Sequence, residues 1–142
     1  MHDGFIKVAA ATPGLKVGDV AYNVEQICRQ IAEADGRGAK VIVFPELAIT
    51  GYTCGDLFFQ QTLLQAAEEG LTAISRFTAG AGSDAVVFVG LPMEMDGKLY
   101  NVAACIQSGK ILGLITKKIF PITTSIRNCV TSHRVMRCRC RS

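Results

Sequence analysis

The sequence predicts an α/β fold in which parallel strands alternate with helices and are followed by an antiparallel meander. Short apolar runs bounded by glycine or proline are typical of buried strands. The stretches that separate the first three runs have apolar residues at the i, i+3, i+4 and i+7 spacing, which is typical of a helix that is apolar on one face. Later in the chain, Asp-Gly and Ser-Gly pairs indicate hairpin turns. The strand–helix–strand order favours right-handed crossovers between parallel strands.

The first part of the chain supplies one strand–helix–strand unit. The first strand is predicted at residues 5–11, and Pro13-Gly14 ends it. The apolar face of the helix that follows consists of Val24, Ile27, Cys28 and Ile31. Either Asp19 or Asn23 is able to cap the start of this helix. The second strand is predicted at residues 41–44, and we expect it to pair in parallel with the first.

The next part adds a helix and three strands. Residues 45–56 are predicted to form a loop. The helix after this loop has an apolar face formed by Leu63, Leu64, Ala67, Leu71, Ile74 and Phe77. Further strands are predicted at residues 85–91, 99–107 and 111–115. Because only short turn sequences separate these three strands, we expect them to be antiparallel neighbours.

The composition indicates a globular domain. The 142 residues are 49% apolar and 19% charged, which allows one packed core. No apolar run reaches the roughly 18 residues that a membrane span needs. The N-terminus, Met1-His2-Asp3-Gly4, lacks the basic and then apolar pattern of a secretory signal, so we expect a cytoplasmic location without membrane contact. The six cysteines are too scattered for a disulfide framework.

The net charge of +3 conceals a change in composition near residue 121. Residues 1–121 contain all 12 acidic residues and 10 of the 15 basic residues, so they carry −2. Residues 122–142 contain five arginines, no acidic residue and three of the six cysteines. We therefore predict a domain over residues 1–121 and a basic, cysteine-rich tail over residues 122–142 that is irregular or disordered.

Two charged residues stand at the ends of predicted buried strands. Glu46 follows the strand at residues 41–44 after a proline that ends its pairing. Lys117 follows the strand at residues 111–115, and Pro121 comes four residues later. A carboxylate and an amine at two strand ends suit a general base with an electrostatic partner. A structural ion pair, or two solvated strand ends, is the alternative interpretation.

Several motifs together resemble the carbon–nitrogen hydrolase (nitrilase) superfamily. They occupy residues 2–9, 22–24, 44–47, 50–58, 90–92 and 97–101, and the Lys-x-x-x-Pro pattern follows them. The likeness is greater to one branch, the N-terminal glutaminase domain of glutamine-dependent NAD synthetases. The segment specific to that branch is residues 51–58, GYTCGDLF. The resemblance extends from residue 2 to about residue 121.

The resemblance implies an α-β-β-α sandwich, of which this chain supplies about the first half. It also implies roles for three residues. Glu46 matches the general base of the family, Lys117 matches the lysine that stabilises the tetrahedral oxyanion, and Tyr52 matches a tyrosine that lines the glutamine pocket. Lys118 competes with Lys117 for the lysine role. In the family, a cysteine attacks the glutamine side-chain amide, forms a thioester and releases ammonia.

The nucleophilic cysteine of the family lies beyond residue 142 by this resemblance. Cys28 and Cys105 are predicted in the core and Cys54 in the loop after Glu46, so none of them matches that position. The resemblance thus implies an inactive fragment of the glutamine amidohydrolase that supplies ammonia for ATP-dependent amidation of deamido-NAD. It places ATP and Mg in the synthetase domain and no cofactor in this chain. It further implies glutamine as the substrate and a homo-oligomer in the intact family.

Two other functions stay open on the sequence alone. One is a truncated stand-alone nitrilase-like amidase, and the other is a non-enzymatic fragment that binds partners through its arginine-rich tail. The tail is a poor zinc site, because the cysteines of Cys138-Arg139-Cys140 are closer together than zinc-binding pairs normally are. It also has no aromatic residue to stack on bases, so we predict neither a metal site nor nucleic-acid binding.

We propose that the tail results from a shift of the reading frame near the Pro121 codon. After the matching proline, the family continues with Asn-Tyr-x-Glu, whereas this chain has Ile122-Thr123-Thr124-Ser125. Read one base earlier, the codons from Pro121 to Ser125 permit Asn, Tyr, Asn and Glu. One deleted base near the Pro121 codon would explain both the lost motif and the early end.

Resequencing the encoding DNA across the Pro121 codon tests this interpretation. We expect one additional base, which restores Asn-Tyr-x-Glu and opens a long frame with a further cysteine and a synthetase domain. A frame that is confirmed as given and ends at Ser142 would contradict the frameshift and make a binding role the leading account.

Overall fold

A computed structural model describes residues 4–118 and 135–136. Its strands are β1 Val8–Ala10, β2 Val41–Val43, β3 Val86–Met95, β4 Lys98–Gln107, β5 Lys110–Lys118 and β6 Val135–Met136. Its helices are α1 Val20–Gly36, α2 Gln61–Gly80 and a short 3₁₀ helix, Gly55–Phe59, between β2 and α2. The predicted order of strands and helices is confirmed, whereas the 3₁₀ helix lies partly in the predicted loop.

All six strands belong to one mixed sheet in chain order. The first three are parallel, and each later strand is antiparallel to the one before it. The predicted α/β class is therefore confirmed. The predicted start of the first strand at residue 5 is wrong, because β2 offers only Val41–Val43 as partners and pairing is limited to Val8–Ala10. Phe5 is instead 81% exposed.

Both α-helices cover the same face of the sheet. Since the order β1-β2-β3 advances in one direction, two right-handed crossovers lay both helices on one side. The packing of the core is consistent with this placement of the helices. Ile27 of α1 and Ile74 of α2 are fully buried in one cluster with Ile42 of β2 and Val87 of β3. Alternate residues of β4 extend the same cluster, namely Val102, Ala104 and Ile106.

The opposite face of the sheet is mostly apolar, and no helix or further strand in the described part of the chain covers it. Because side chains alternate along a strand, the neighbours of the buried core residues point away from the helices. The strand register places on this open face Val43, Phe88, Gly90, Ala103, Cys105 and Ile115. Val43 is 46% exposed as a result. One sheet with helices on one face corresponds to half of an α-β-β-α sandwich.

Asn23 joins α1 to the loop that follows β2. Asp19 is the N-cap of α1 and accepts a hydrogen bond from the N–H of Tyr22 at 3.1 Å. Asn23 lies inside the helix, fully buried, and its Nδ2 donates to the carbonyls of Lys16 at 2.7 Å and Ile49 at 3.0 Å. Its Oδ1 accepts from the N–H of Lys16 at 2.7 Å. Of the two predicted caps, Asp19 has that role, whereas Asn23 fixes the loop.

Two tight turns keep β3, β4 and β5 in register. Asp96 and Gly97 have φ angles of 52° and 70°, and Ser108 and Gly109 have φ angles of 47° and 79°. Positive φ at both central residues is the geometry of a type I′ turn, whose twist suits antiparallel strands. The second turn is also bound to α2, because the Gly109 N–H donates to Oγ1 of Thr78 at 3.0 Å.

Most of the predicted tail lies outside the described residues. Of residues 122–142, the structure describes only Val135 and Met136, which form β6 beside β5. The boundary at residue 121 and the tail cysteines stay predictions. Within residues 4–118 and 135–136, no helix combines the length and the apolar character that crossing a membrane requires.

We expect Asn23→Ala to lower the free energy of unfolding by about 2 kcal/mol, because the fully buried Ile49 loses the amide that donates to its carbonyl. Urea denaturation followed by circular dichroism should show this loss as a lower midpoint at an unchanged slope.

Glu25→Ala is the matched control for this substitution. Glu25 lies on the same helix and forms an exposed ion pair with Arg29. Its removal should change the free energy of unfolding by less than about 0.5 kcal/mol. Equal midpoints for the two variants would contradict the anchoring role of Asn23.

Candidate functional site

Glu46 lies in the loop that follows β2, at the end of the sheet where that strand finishes. Pro45 has no N–H to donate to the ladder, so the strand stops before it. The turn after Glu46 is closed by backbone hydrogen bonds. The carbonyl of Leu47 accepts from the N–H of Thr50 at 3.2 Å and from the N–H of Gly51 at 2.8 Å. Glu46 therefore sits on a short and well-bonded turn.

The residue after Glu46 has an uncommon backbone conformation. Leu47 has a φ of 53°, in the left-handed region that a leucine rarely adopts. Its side chain is buried in a small cluster with Cys54, Phe58 and Leu63. The packing of this cluster offsets the backbone strain and fixes the direction in which Glu46 leaves the turn.

Gly90 of β3 gives this turn the room to lie against the sheet. A Cβ atom at this position would be 2.5 Å from the backbone nitrogen of Leu47 and 3.2 Å from the carbonyl carbon of Glu46. The carbonyl of Gly90 accepts a hydrogen bond from the N–H of Ile49 at 3.1 Å. Glycine is required here because two backbones approach closely.

Two neighbouring strands bring Lys117 and Asn101 to Glu46. The register of β4 and β5 pairs Asn101 with Lys117, so both side chains point to the same face. Nζ of Lys117 lies 3.6 Å from Oε1 of Glu46, and the side-chain amide of Asn101 donates a hydrogen bond to the same oxygen. The structure thus brings the predicted residues Glu46 and Lys117 together. The competing Lys118 occupies the next register position, opposite Tyr100.

Asn101 is a site residue that the sequence reasoning missed. Two signals were present, because Asn101 ends the family motif at residues 97–101 and lies between Tyr100 and Val102 in a strand that is otherwise mostly apolar. A polar side chain that is largely buried in such a strand needs a hydrogen-bond partner. The sequence does not name that partner, because Glu46 is 55 residues away along the chain.

The three side chains line a pocket of about 410 Å³ on the open face of the sheet. The apolar part of its lining includes Val43, Phe88, Ala103 and Ile115. A volume of this size is in the range of small-molecule sites. A carboxylate, an amide and an ammonium group beside an apolar surface are able to orient the polar end of a small substrate.

The pair formed by Glu46 and Lys117 contributes little to stability. The Glu46 side chain is 54% exposed and the Lys117 side chain is 55% exposed. Ion pairs as exposed as this contribute about 0–1 kcal/mol. A purely structural ion pair is therefore a weak explanation of the arrangement. Charged groups that a substrate can reach suit proton transfer and the stabilisation of an oxyanion.

None of the three cysteines in residues 4–118 lines the pocket. Cys28 packs against the core as predicted, and Cys54 is buried in the cluster beneath the loop. The prediction for Cys105 is wrong, because the helices cover the face of β4 that carries Ala104, and Cys105 points to the other face. Burial raises the pKa of all three thiols, which disfavours the reactive thiolate. The described residues also contain no group of three His, Cys, Asp or Glu side chains able to hold a metal ion.

Tyr52 is not among the residues that line this pocket. It lies in the loop before the 3₁₀ helix and is 70% exposed. The structure therefore does not bring Tyr52 together with Glu46 and Lys117, and its contact with glutamine stays a prediction.

Comparison with known proteins identifies the family to which this arrangement belongs. The family model described as carbon-nitrogen hydrolase matches residues 7–135, which is most of the chain. The chain belongs to the carbon–nitrogen hydrolase family. The resemblance inferred from the sequence motifs is thus confirmed, and the matched residues include the three side chains of the pocket.

Relatives of this carbon–nitrogen hydrolase include glutamine-dependent NAD(+) synthetases. The one from Mycobacterium leprae is 34% identical over 118 residues, which are 83% of this chain and 17% of the relative. The one from Aquifex aeolicus is 36% identical over 117 residues, which are 82% of this chain and 20% of the relative. The chain thus spans about a fifth of the length of these curated relatives.

Solved structures share the fold of this carbon–nitrogen hydrolase. A glutamine-dependent NAD(+) synthetase from Cytophaga hutchinsonii has a TM-score of 0.73 and 31% identity, with 82% of this chain and 19% of that chain covered. An amidase from Nesterenkonia sp. has a TM-score of 0.67 and 20% identity, with 82% of this chain and 44% of that chain covered. The second likeness concerns the fold alone. The predicted nitrilase-like fold, present here in part, is confirmed.

We expect Gly90→Ala to lower the free energy of unfolding by about 2 kcal/mol, because its Cβ does not fit 2.5 Å from the backbone nitrogen of Leu47. The turn must move to relieve this contact, so the backbone amide signals of residues 46–50 should shift in NMR spectra. Urea denaturation and ¹H–¹⁵N correlation spectra measure the two effects.

Gly36→Ala is the control for the loss of a glycine. A Cβ built at Gly36 has no atom within 4 Å apart from its chain neighbours and the backbone of its own helix, and this residue ends α1. Alanine should leave stability unchanged or raise it slightly. Wild-type stability and unshifted signals in Gly90→Ala would show that the close contact does not hold the turn.

Proposed function

We propose that this chain is part of the glutamine-hydrolysing domain of a glutamine-dependent NAD synthetase. The observation that carries the proposal is the meeting of Glu46 and Lys117, 3.6 Å apart, in one pocket of a carbon–nitrogen hydrolase. The names of the relatives support glutamine as the substrate and NAD synthesis as the purpose. The reaction releases ammonia from the side-chain amide of glutamine.

Glu46 acts as the general base in this proposal. Its side chain is more than half exposed and lines the pocket, and its Oε2 makes no hydrogen bond within residues 4–118. This free oxygen takes the proton from the attacking thiol of the family cysteine, which we place outside residues 4–118. It then returns the proton to the amide nitrogen, so that ammonia leaves as a neutral molecule and a thioester forms.

Lys117 stabilises the charge that develops on the amide oxygen. The attack of the thiolate converts the carbonyl into a tetrahedral oxyanion, and the ammonium group of Lys117 offers a positive donor in the same pocket. Collapse of this intermediate expels ammonia. Water then attacks the thioester, with Glu46 again accepting a proton, and glutamate is released together with the regenerated thiol.

Other steps belong to parts of the protein beyond this chain, which spans about a fifth of its curated relatives. We assign the ATP-dependent amidation of deamido-NAD, with ATP and Mg, to a separate synthetase domain. A contact between Tyr52 and glutamine and assembly into a homo-oligomer are also part of the proposal.

The test uses the longer protein of which we propose this chain is a part, expressed from its resequenced gene. Glutamine should then support the formation of NAD from deamido-NAD and ATP.

Glu46→Gln should lower glutamine hydrolysis by about 10²–10⁴, because the amide cannot take the proton. Lys117→Ala should lower it by about 10²–10³ through the loss of oxyanion stabilisation. Ammonium chloride should restore NAD formation in both variants, since it replaces the product of the impaired step.

Glu68→Gln, which removes an exposed carboxylate of α2, is the control and should hydrolyse glutamine at the wild-type rate. The 142-residue chain alone should show no turnover. Full glutamine hydrolysis by Glu46→Gln would disprove the assigned role. Turnover by the 142-residue chain that Glu46→Gln abolishes would show that the chain is active as it stands.

A further inference from the structure

We propose that Asn101 is a positioning residue for the carboxylate of Glu46. The proposal rests on the function given above and adds to it a residue that acts through the base. Asn101 is 9% exposed on β4, whereas the side chains of Glu46 and Lys117 are each more than half exposed. Glu46 is therefore held by a largely buried amide and by an ammonium group that solvent reaches.

The chemistry of an amide–carboxylate pair determines which end of the Asn101 side chain faces Glu46. An ionised carboxylate only accepts hydrogen bonds, so Asn101 must present its Nδ2 group, as it does here. This donor is neutral. It orients the carboxylate without bringing a second positive charge beside it, and the charge of Lys117 stays available for the oxyanion of the substrate.

Both contacts fall on the same oxygen of Glu46. Nδ2 of Asn101 and Nζ of Lys117 each approach Oε1, and Oε2 has no hydrogen-bond partner within residues 4–118. The carboxylate is thereby held at one oxygen, and in this proposal the other oxygen takes the proton. A carboxylate that rotates freely loses this alignment, so removal of Asn101 should lower kcat more than it changes KM.

The register of the strands explains why Asn101 is able to position the carboxylate of Glu46. Asn101 and Lys117 are directly opposite each other on β4 and β5, so both side chains rise from the same face. The turn that carries Glu46 lies against Gly90, which pairs with Ala103, two residues from Asn101 on β4. The amide is therefore held by a central strand of the sheet and meets a carboxylate that the neighbouring strand supports.

A second pair in the chain has the same chemistry and serves as a control. Nε2 of Gln61 donates to Oε2 of Glu94 at 2.6 Å, and both side chains are exposed. Neither residue lines the pocket. An effect that is specific to the site must appear at Asn101 and not at Gln61.

The first measurement uses ¹H–¹⁵N spectra of the side-chain amides in the 142-residue chain. Glu46→Gln replaces a charged acceptor by a neutral one, so the bonded amide proton of Asn101 should move upfield while the Gln61 signals stay in place. Glu94→Gln should have the converse effect. The proposal would be overturned if the Asn101 signals did not shift in Glu46→Gln, or if they shifted equally in Glu94→Gln.

The second measurement is glutamine hydrolysis by the longer protein described above. Asn101→Leu removes the donor at nearly constant size, and Asn101→Asp replaces it with an acceptor of the same shape. We expect both to lower kcat by about 10²-fold, as a misplaced catalytic group does. KM for glutamine should stay within about twofold. An unchanged kcat, or a raised KM with unchanged kcat, would overturn the positioning role.

The two measurements separate the failure of this proposal from the failure of the proposed function. If the amide signals respond as expected but the wild-type longer protein does not hydrolyse glutamine, the proposed function is wrong, and the positioning role in catalysis falls with it. If the longer protein is active but Asn101 responds in neither experiment, only the role of Asn101 is wrong.

Discussion

The site depends on one close contact between two backbones, that of Gly90 in β3 with the turn that carries Glu46. Because residue 90 has no side chain, the turn lies near enough to the strand for Ile49 to donate to the Gly90 carbonyl. Asn23 holds the same turn from the side of α1 through the Ile49 carbonyl. A strand and a helix that are both packed in the core therefore position a residue that is itself in a loop.

The placement of both helices on one face has a direct effect on the chemistry. It leaves the other face of the sheet for the pocket, and β4 and β5 present Asn101 and Lys117 there side by side. The charged groups are thus carried by strands whose opposite faces form the core. Precision in the site and burial in the core come from the same strands, and alternation of side chains separates the two roles.

The sequence predicted the helices and most strands because the spacing of apolar residues follows burial directly, as with Ile27, Ile31 and Ile74. It indicated Glu46 and Lys117 because each follows an apolar run near a proline and matches a family motif. It placed Asn101 in a family motif but gave it no role, because the pairing of that residue depends on the register set by a turn and by the irregularity between Cys105 and Ile106. The error at Cys105 has a similar origin, since alternation does not tell which face the helices cover.

Asn101 and Lys117 are close together along the chain, whereas Glu46 is far from both. Asn101 and Lys117 are joined by a single hairpin with a tight turn, whereas Glu46 reaches them only after the crossover through α2 has brought β2 to β3. Closing a short loop costs less chain entropy than closing a long one, and local pairings form faster. The amide and the amine are therefore expected to assemble early in folding, and the carboxylate completes the site last.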